Sequence, residues 1–233
     1  FTDDPARRIP LDKPESYADF LPMYRSLYKD LEIGRVRKLR DIIWIDPIPN
    51  RKWCTNGHIE ALTSLNISEW NQAWPDANRH SRQELLARIR QYSQGLWYFL
   101  QHDPGLPRGI RTEAQSFGLC PDEYPDEGYY PWQLYVREAR RIVGEHVITQ
   151  HDSVPEPGRK RPRGQRDSIG VYDHSFDSHP CRSRGGAGST WTDDGFEVLE
   201  GTIWYRNKLE SLNRPASVPY GAIVPEKIDG LLV

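Results

Sequence analysis

Apolar residues recur every three to four positions between residues 81 and 102, and this spacing predicts a long amphipathic helix. Ser81 and Glu84 match the two partners of a capping box, so we expect the helix to begin at Ser81. The run Asp103-Pro104-Gly105 follows directly and predicts the end of the helix. The face predicted to be buried consists of Leu85, Ile89, Tyr92, Leu96 and either Phe99 or Leu100.

A second helical pattern, between residues 129 and 152, runs directly into a strand pattern. Pro131 fits the first turn of this central helix, where its missing N–H costs no hydrogen bond. Gly144 predicts the end of the helix, because glycine accepts the left-handed conformation that helix ends often need. Alternating and β-branched residues then predict a strand over His146–Gln150.

Shorter patterns complete the prediction of the fold. Pro22 interrupts a helical pattern over Glu15–Leu31, and Gly34 ends it. Asn56-Gly57 predicts a turn within a long loop over residues 50–75. Because helices and strands are mixed without regular alternation, the predicted class is α+β, with a mixed sheet and packed helices. The remaining helix and strand patterns are Leu39–Ile45, Arg111–Gly118, Ser168–Tyr172, Phe196–Leu199 and Thr202–Tyr205.

Composition and charge exclude several classes of protein. The 233 residues suffice for one large domain or two small ones, and their mean hydropathy is −0.75. With 31 basic and 33 acidic residues, the net charge of −2 gives no global argument for nucleic acid or an anionic membrane surface. No apolar run approaches the roughly 20 residues of a membrane span. Cys54, Cys120 and Cys181 are far apart and odd in number, which indicates a cytoplasmic protein and leaves export with a removed signal peptide open.

The two ends of the chain predict an internal piece of a larger protein. The sequence begins at Phe1 without a methionine. It stops on Ile228–Val233, an apolar run that predicts a buried strand with no turn or polar tail after it. Because chain ends usually lie at the surface, we expect the parent protein to continue past this strand.

Three arginines crowd the polar side of the predicted central helix. Arg137, Arg140 and Arg141 lie within about one turn of each other. Their guanidinium groups repel one another unless nearby anions neutralise the positive charge. Glu138 is placed to form an ion pair with Arg141, at a spacing of i, i+3. Arg137 and Arg140 either bind a carboxylate, phosphate or electron-rich oxygen of a substrate, or belong to a solvated face with one internal ion pair.

The run from Asp173 to His179 follows a predicted strand and holds two imidazoles and two carboxylates. His174 or His179 suits proton transfer, with Asp177 orienting the ring, because histidine titrates near neutral pH. The same three residues offer metal ligands, but their spacing matches no structural zinc pattern, so no metal is predicted. An ordinary polar loop is the third reading of this run.

The basic run Arg159–Arg166 suggests contact with nucleic acid. It has no interleaved aromatic residues for base stacking, and an exposed connection between two strands explains it better. We therefore predict no nucleic-acid partner, and removal of this run would test the point.

The segment from Lys52 to His58 is a further candidate for a site. Asn56 and His58 either line a pocket and contact substrate or simply flank a turn. Cys54 has no activating partner visible in the sequence, so a nucleophilic role for it is weakly supported.

Several of these motifs, taken in order, resemble a bacterial family of FAD-dependent oxidoreductases. In that family a helix with an R-E-[AS]-R-R core leads into a strand of the G-E-Y-x-[ML]-T type, as Trp132–Asp152 does here. Residues 168–179 resemble the family's S-I-x-x-x-x-Y-x-x-D-[SI]-H segment, and residues 218–233 its I-P-Y-R-x-L-x-P-x-x-x-x-N-L-L-V segment. Residues 81–104 resemble its long helix ending in H-D-P. The resemblance is firm over residues 51–233 and weaker over residues 1–50.

The resemblance implies a Rossmann-like FAD-binding domain built from both ends of the full chain, with a substrate or cap domain between them. Residues 1–50 would then be a connecting segment, residues 51–217 the cap domain, and residues 218–233 a strand returning to the FAD-binding flanks. No G-x-G-x-x-G fingerprint follows a predicted strand, so we expect it to precede Phe1. Gly221 and Asp229-Gly230 depart from the family pattern, which puts detailed cofactor contacts in doubt.

We therefore expect part of an enzyme that moves a hydride or electron pair between FAD and a small organic substrate, with this piece forming the substrate-side wall. Arg137 and Arg140 would bind the substrate or reduced flavin, beside the proton-transfer candidates already named. The alternative is a non-enzymatic α+β module that binds a carbohydrate or a protein, which the 8 tryptophans suggest.

Overall fold

A computed structural model gives the fold of residues 1–58, 61, 63, 65, 67, 70, 72–133, 142–149, 152, 162–172, 190–191, 197–198 and 216–232. Helices and short antiparallel strand pairs are both present, so the predicted α+β class is confirmed. Across these residues the strands form three separate two-stranded pairs in place of one mixed sheet.

The chain divides into two compact units, Phe1–Arg137 and Glu138–Val233. The predicted domain boundaries at residues 50 and 217 stay a prediction.

The first unit is built around one long helix. Its elements are α1 (Tyr17–Arg25), α2 (Leu27–Glu32), β1 (Ile43–Ile48), β2 (Lys52–Gly57), α3 (Arg79–His102) and α4 (Arg108–Gln115), with single 3-10 turns at Leu39–Asp41 and Pro125–Glu127. Tyr92, Leu96, Phe99 and Leu100 of α3 are buried, as the helical period predicts. The short helix predicted at Arg111–Gly118 begins and ends three residues earlier, as α4.

The start of α3 corrects the predicted cap. Asn78 is the N-cap, and its side-chain oxygen accepts a hydrogen bond from the backbone N–H of Ser81 at 3.0 Å. Ser81 therefore lies in the first turn of the helix, and the capping box predicted from Ser81 and Glu84 is wrong. Glu84 instead pairs on the surface with His80, one turn before it, at 3.4 Å.

Aromatic side chains fill the space between α1 and α3. The hydroxyl of Tyr24 donates a hydrogen bond to the backbone oxygen of Tyr92 at 2.9 Å, within a fully buried environment. Burial raises the pKa of both phenols well above the ordinary value, so they stay neutral. Gly95 lies against Tyr24, and a Cβ atom there would overlap its hydroxyl group. The core is therefore fixed by close packing as much as by hydrophobic pattern.

The first helical pattern breaks later than predicted. Pro22 lies inside α1, and the break comes at Ser26, between α1 and α2. Proline removes one backbone donor, and here this loss does not end the helix. Gly34, with φ of +71°, follows α2 as predicted.

β1 and β2 form an antiparallel hairpin in a region predicted to be mostly loop. The predicted strand at Leu39–Ile45 begins later, at Ile43, and continues through Pro47. The chain reverses at Asn50 and Arg51, which both have positive φ, at +67° and +56°. The predicted turn at Asn56-Gly57 is wrong, because both residues belong to β2.

The second unit contains the predicted strand Ser168–Tyr172 as β3, which pairs with β6 (Ala216–Pro219). β4 (Thr190–Trp191) pairs with β5 (Glu197–Val198), inside the predicted strand at residues 196–199. A single 3-10 turn at Tyr220–Ala222 follows β6. The predicted strand Thr202–Tyr205 lies outside the described residues.

The predicted central helix and strand are wrong wherever the structure describes them. Residues 131–133 are not helical, and residues 145–149 form no strand. Residues 134–141 lie outside the described part of the chain. Gly144 does not adopt positive φ, and instead makes an isolated antiparallel bridge with Pro225.

The apolar end of the chain is also not the predicted buried strand. Residues 228–232 contain one turn and are otherwise irregular, without a strand partner among the described residues. Ile228, Leu231 and Leu232 are exposed. Their hydrophobicity misled the prediction, because a short apolar run has no period that separates a strand from an exposed loop.

Candidate functional site

One of the six predicted site residues, Asn56, lies within the described part of the chain. Arg137 and Arg140, and the run that holds His174, Asp177 and His179, lie outside it. The described residues offer two other clusters of chemically active side chains, one in each unit.

The first cluster is the outward face of the β1–β2 hairpin, called here the hairpin face: Trp44, Asp46, Cys54, Asn56 and His58. The strand register places Trp44 opposite Asn56, and Asp46 opposite Cys54. Ile43 and Ile45 alternate with these residues and are buried, so the polar and aromatic side chains share the other face. The register thus places Asn56 opposite Trp44, and the continued alternation puts His58 on the same face.

An indole and an imidazole are stacked on the hairpin face. The rings of Trp44 and His58 lie 5.6 Å apart between centroids and are inclined by 16°. The indole N–H of Trp44 donates to the carboxylate of Asp46, which orients the ring. Trp44 remains 50% exposed, so a flat apolar surface is available to a ligand. Trp44 and Asp46 were missed by sequence reasoning, although their alternation with buried isoleucines is a detectable signal.

Asn56 adds an amide beside this surface. Its side-chain oxygen accepts a hydrogen bond from the backbone N–H of Gly57 at 2.8 Å, and the residue is exposed. An amide both donates and accepts, so it suits a ligand that carries a hydroxyl or carbonyl group. Cys54 on the same face is an exposed free thiol.

The second cluster, called here the His146 cluster, consists of His146, Thr149, Asp152 and Gln165. Nε2 of His146 lies 3.2 Å from Oδ1 of Asp152, and the amide of Gln165 donates to the same oxygen at 2.9 Å. The backbone N–H and the hydroxyl of Thr149 donate to Oδ2 at 2.8 and 3.2 Å. Both carboxylate oxygens are therefore held by donors, and the Asp152 side chain is only 13% exposed.

Opposing effects act on the ionisation of Asp152. Burial is the largest and favours the neutral acid, but the hydrogen bonds from Thr149 and the nearby His146 ring together outweigh it. The pKa of Asp152 consequently lies below its ordinary value. The residue is a carboxylate at neutral pH and acts as a hydrogen-bond acceptor for the imidazole.

Main-chain hydrogen bonds hold this cluster in place. The backbone N–H of His146 donates to the oxygen of Gly221, and that of Glu145 to the oxygen of Val224, both at 3.0 Å. A Cβ atom at Gly144 would lie 2.7 Å from the Gly221 oxygen, so glycine is needed for this close approach. Asp167, just before β3, accepts a hydrogen bond from the N–H of Gly221 at 3.2 Å. Three sequence motifs far apart in the chain thus meet around His146.

Sequence reasoning missed the His146 cluster because His146 was assigned to a strand. Asp152 follows it by six positions, a spacing that marks no regular structure and no known motif.

Two further features bear on function. Within the described ranges, no group of three or more His, Cys, Asp or Glu side chains is placed to hold a metal ion. None of the helices that the structure describes is both long and apolar enough to cross a membrane.

Comparison with known proteins gives one match. The family model described as FAD dependent oxidoreductase matches residues 3–233, nearly the whole chain. Searches of curated proteins and of solved structures found no match.

Proposed function

Because the chain belongs to the FAD-dependent oxidoreductase family, we propose that it forms the substrate-side wall of a flavin-linked redox enzyme that acts on a small organic molecule. FAD is the cofactor of the family, and a flavin-linked redox role follows from membership. The proposal adds where the substrate lies and which side chains of this chain contact it.

The described residues do not fit the diphosphate of FAD. A dinucleotide is usually held where a strand leads through a glycine-rich turn into a helix. None of the α-helices within the described ranges follows a strand in this way: α1, α3 and α4 each follow a turn or an irregular segment. We therefore derive no step through FAD.

The hairpin face is the observation that carries the proposal. Small-molecule sites combine flat apolar surface with a few placed polar groups. Trp44 supplies the surface, and Asn56 supplies a donor and an acceptor next to it. We propose that the indole stacks on the substrate and that the Asn56 amide binds its hydroxyl or carbonyl group.

The remaining sequence-based assignments are proposals of their own and do not depend on the hairpin face. Arg137 and Arg140 bind an anionic group or carbonyl oxygen of the substrate, or the reduced flavin. His174 or His179 is the sequence-based candidate for handling the proton, with Asp177 orienting the ring. These assignments follow from residue chemistry, and Arg137→Ala is expected to impair turnover more than stability.

The first experiment measures flavin. The protein expressed from its complete gene is purified and examined for flavin absorbance and for FAD released on denaturation. Anaerobic bleaching of the flavin is then screened with small alcohols, 2-hydroxy acids and amines. A protein that contains no flavin and binds no added FAD would contradict the proposal.

The second experiment locates the substrate. Trp44→Ala is expected to raise the KM for the substrate found in the screen by roughly 10-fold, a loss of about 1.4 kcal/mol. Trp132→Ala is the matched control, because Trp132 is 64% exposed and belongs to neither cluster. Equal KM values for Trp44→Ala and the unaltered protein would remove the hairpin face from the site.

The same exposed indole supports the alternative of a carbohydrate-binding module, since indole faces stack on sugar rings. Binding of simple sugars that is lost in Trp44→Ala, in a protein without flavin, would favour this alternative.

A further inference from the structure

The proposed function gives no role to the His146 cluster, although the cluster contains an imidazole with a fixed carboxylate partner. A carboxylate fixed by several donors faces one imidazole nitrogen, and the imidazole belongs to a side chain that is 33% exposed. This arrangement is more specific than a surface ion pair, because Gln165 and Thr149 hold the carboxylate independently of the histidine.

The hydrogen bonds fix the tautomer of the neutral ring. Asp152 is ionised and accepts hydrogen bonds, so Nε2 of His146 must carry the proton in their shared contact. Nδ1 is then the basic nitrogen. Across the described part of the chain, Nδ1 has no hydrogen-bond partner. The cluster therefore presents one oriented lone pair from a partly exposed ring.

The backbone holds the histidine rigidly. Its N–H is bonded to Gly221, and the preceding residue is bonded to Val224. The charged residues on the described segments packed here are, besides His146 and Asp152, Glu145, Arg163, Arg166, Asp167, Glu226, Lys227 and Asp229. Asp167 is bonded to the N–H of Gly221, and the backbone N–H of Glu226 to the oxygen of Val143. Among the hydrogen bonds of the described residues, Asp152 is the charged partner of the imidazole.

We propose that His146 is a proton-transfer group of the enzyme, which takes a proton from an O–H or N–H group of the substrate onto Nδ1, with Asp152 as its positioning residue. The proposal rests on the proposed function for the presence of a substrate, and it does not depend on the hairpin face. The step breaks one O–H or N–H bond and forms one N–H bond, and it moves no electrons. The resulting imidazolium is stabilised by the Asp152 carboxylate and returns its proton to solvent.

The first test needs no substrate. Diethyl pyrocarbonate acylates basic imidazole nitrogens, and mass spectrometry locates each modified histidine. In the whole protein, Asp152→Asn is expected to lower the acylation rate of His146 at least threefold, because the ring loses its orienting acceptor. His80, which is exposed and lies in the other unit, serves as the internal reference and keeps its rate. An unchanged rate at His146 would overturn the proposal.

The second test uses the substrate identified by flavin bleaching. His146→Gln keeps a donor for Asp152 but removes the basic nitrogen, and it is expected to lower kcat/KM about 10²-fold or more and to abolish the acid limb of its pH profile. His80→Gln is the matched control, with both unchanged. His174→Gln and His179→Gln are measured beside it. A His146→Gln protein with normal flavin content that keeps the wild-type profile would overturn the proposal, as would loss of the limb in His174→Gln or His179→Gln instead.

The two tests separate the two proposals. A protein without flavin defeats the proposed function, and the acylation rates still decide whether Asp152 activates His146. A flavin-containing protein in which Asp152→Asn and His146→Gln change nothing defeats only the assignment of His146.

Discussion

The two compact units hold their chemically active groups by different physical means. In the first unit, buried aromatic and aliphatic side chains pack around α3, and the hairpin face lies on the outside of that core. In the second unit, His146 is held by main-chain hydrogen bonds to Gly221 and Val224 and by a polar contact with Asp152. Apolar packing builds a stable platform, whereas a hydrogen-bonded cluster fixes the protonation and orientation of a single ring.

Two glycines show the same contrast. Gly95 in α3 makes room for the side chain of Tyr24, and Gly144 makes room for the backbone oxygen of Gly221. The first unit therefore depends on side-chain volume, and the second on the close approach of two backbone segments. Substitutions in each unit test this difference.

Phe99→Ala is expected to destabilise the first unit by about 3–5 kcal/mol, because Phe99 is fully buried and its removal leaves a cavity. Urea unfolding followed by aromatic circular dichroism measures the loss. Ile33→Ala, at a site that is 54% exposed, is the control and should change stability by less than about 0.5 kcal/mol. A loss below about 1 kcal/mol for Phe99→Ala would contradict the account of a core packed around α3.

Gly144→Ala is expected to destabilise the second unit by about 1–3 kcal/mol, because the new Cβ atom would overlap the Gly221 oxygen. Hydrogen exchange of peptides that cover residues 142–149 and 216–226 should accelerate. Gly170→Ala in β3 is the matched control, since a Cβ atom there meets no atom within 4 Å. If both substitutions leave exchange unchanged, the two segments are not held by their close approach.

Acid should weaken the His146 cluster by a smaller amount. The pKa of Asp152 is lowered in the folded chain, so its contribution is complete above the ordinary carboxyl pKa and is lost as the pH falls through the lowered value. Exchange at residues 145–149 should therefore accelerate between about pH 5 and about pH 3, after correction for intrinsic rates. Asp152→Asn should remove the part of this pH dependence that Asp152 causes. The same acceleration in the variant would assign it to another carboxyl group.

Much of the first unit could be predicted because its signals are local. The 3.6-residue period identified α3 and the C-terminal half of its buried face, whereas Leu85 and Ile89 are only half-buried, and Gly34 marked a helix end. Local ambiguity produced the errors: two possible caps lie three residues apart at Asn78 and Ser81, and Asn56-Gly57 matches a turn but lies in a strand. In the second case, pairing with β1 selected the strand over the turn.

The sequence by itself determined the α+β class, the long helix α3, the strand β3 and membership of the flavoenzyme family, because each depends on a period or a motif that neighbouring residues carry. Only the tertiary structure decided that Trp44 stacks on His58 and that Asp152 orients His146. Strand register sets the first pairing. The pairing of Asp152 with His146 depends on a segment without regular structure. The backbone of that segment is hydrogen-bonded to residues more than 70 positions away. Such contacts leave no period in the sequence, since hydrogen bonds between distant segments are set by where the chain folds back.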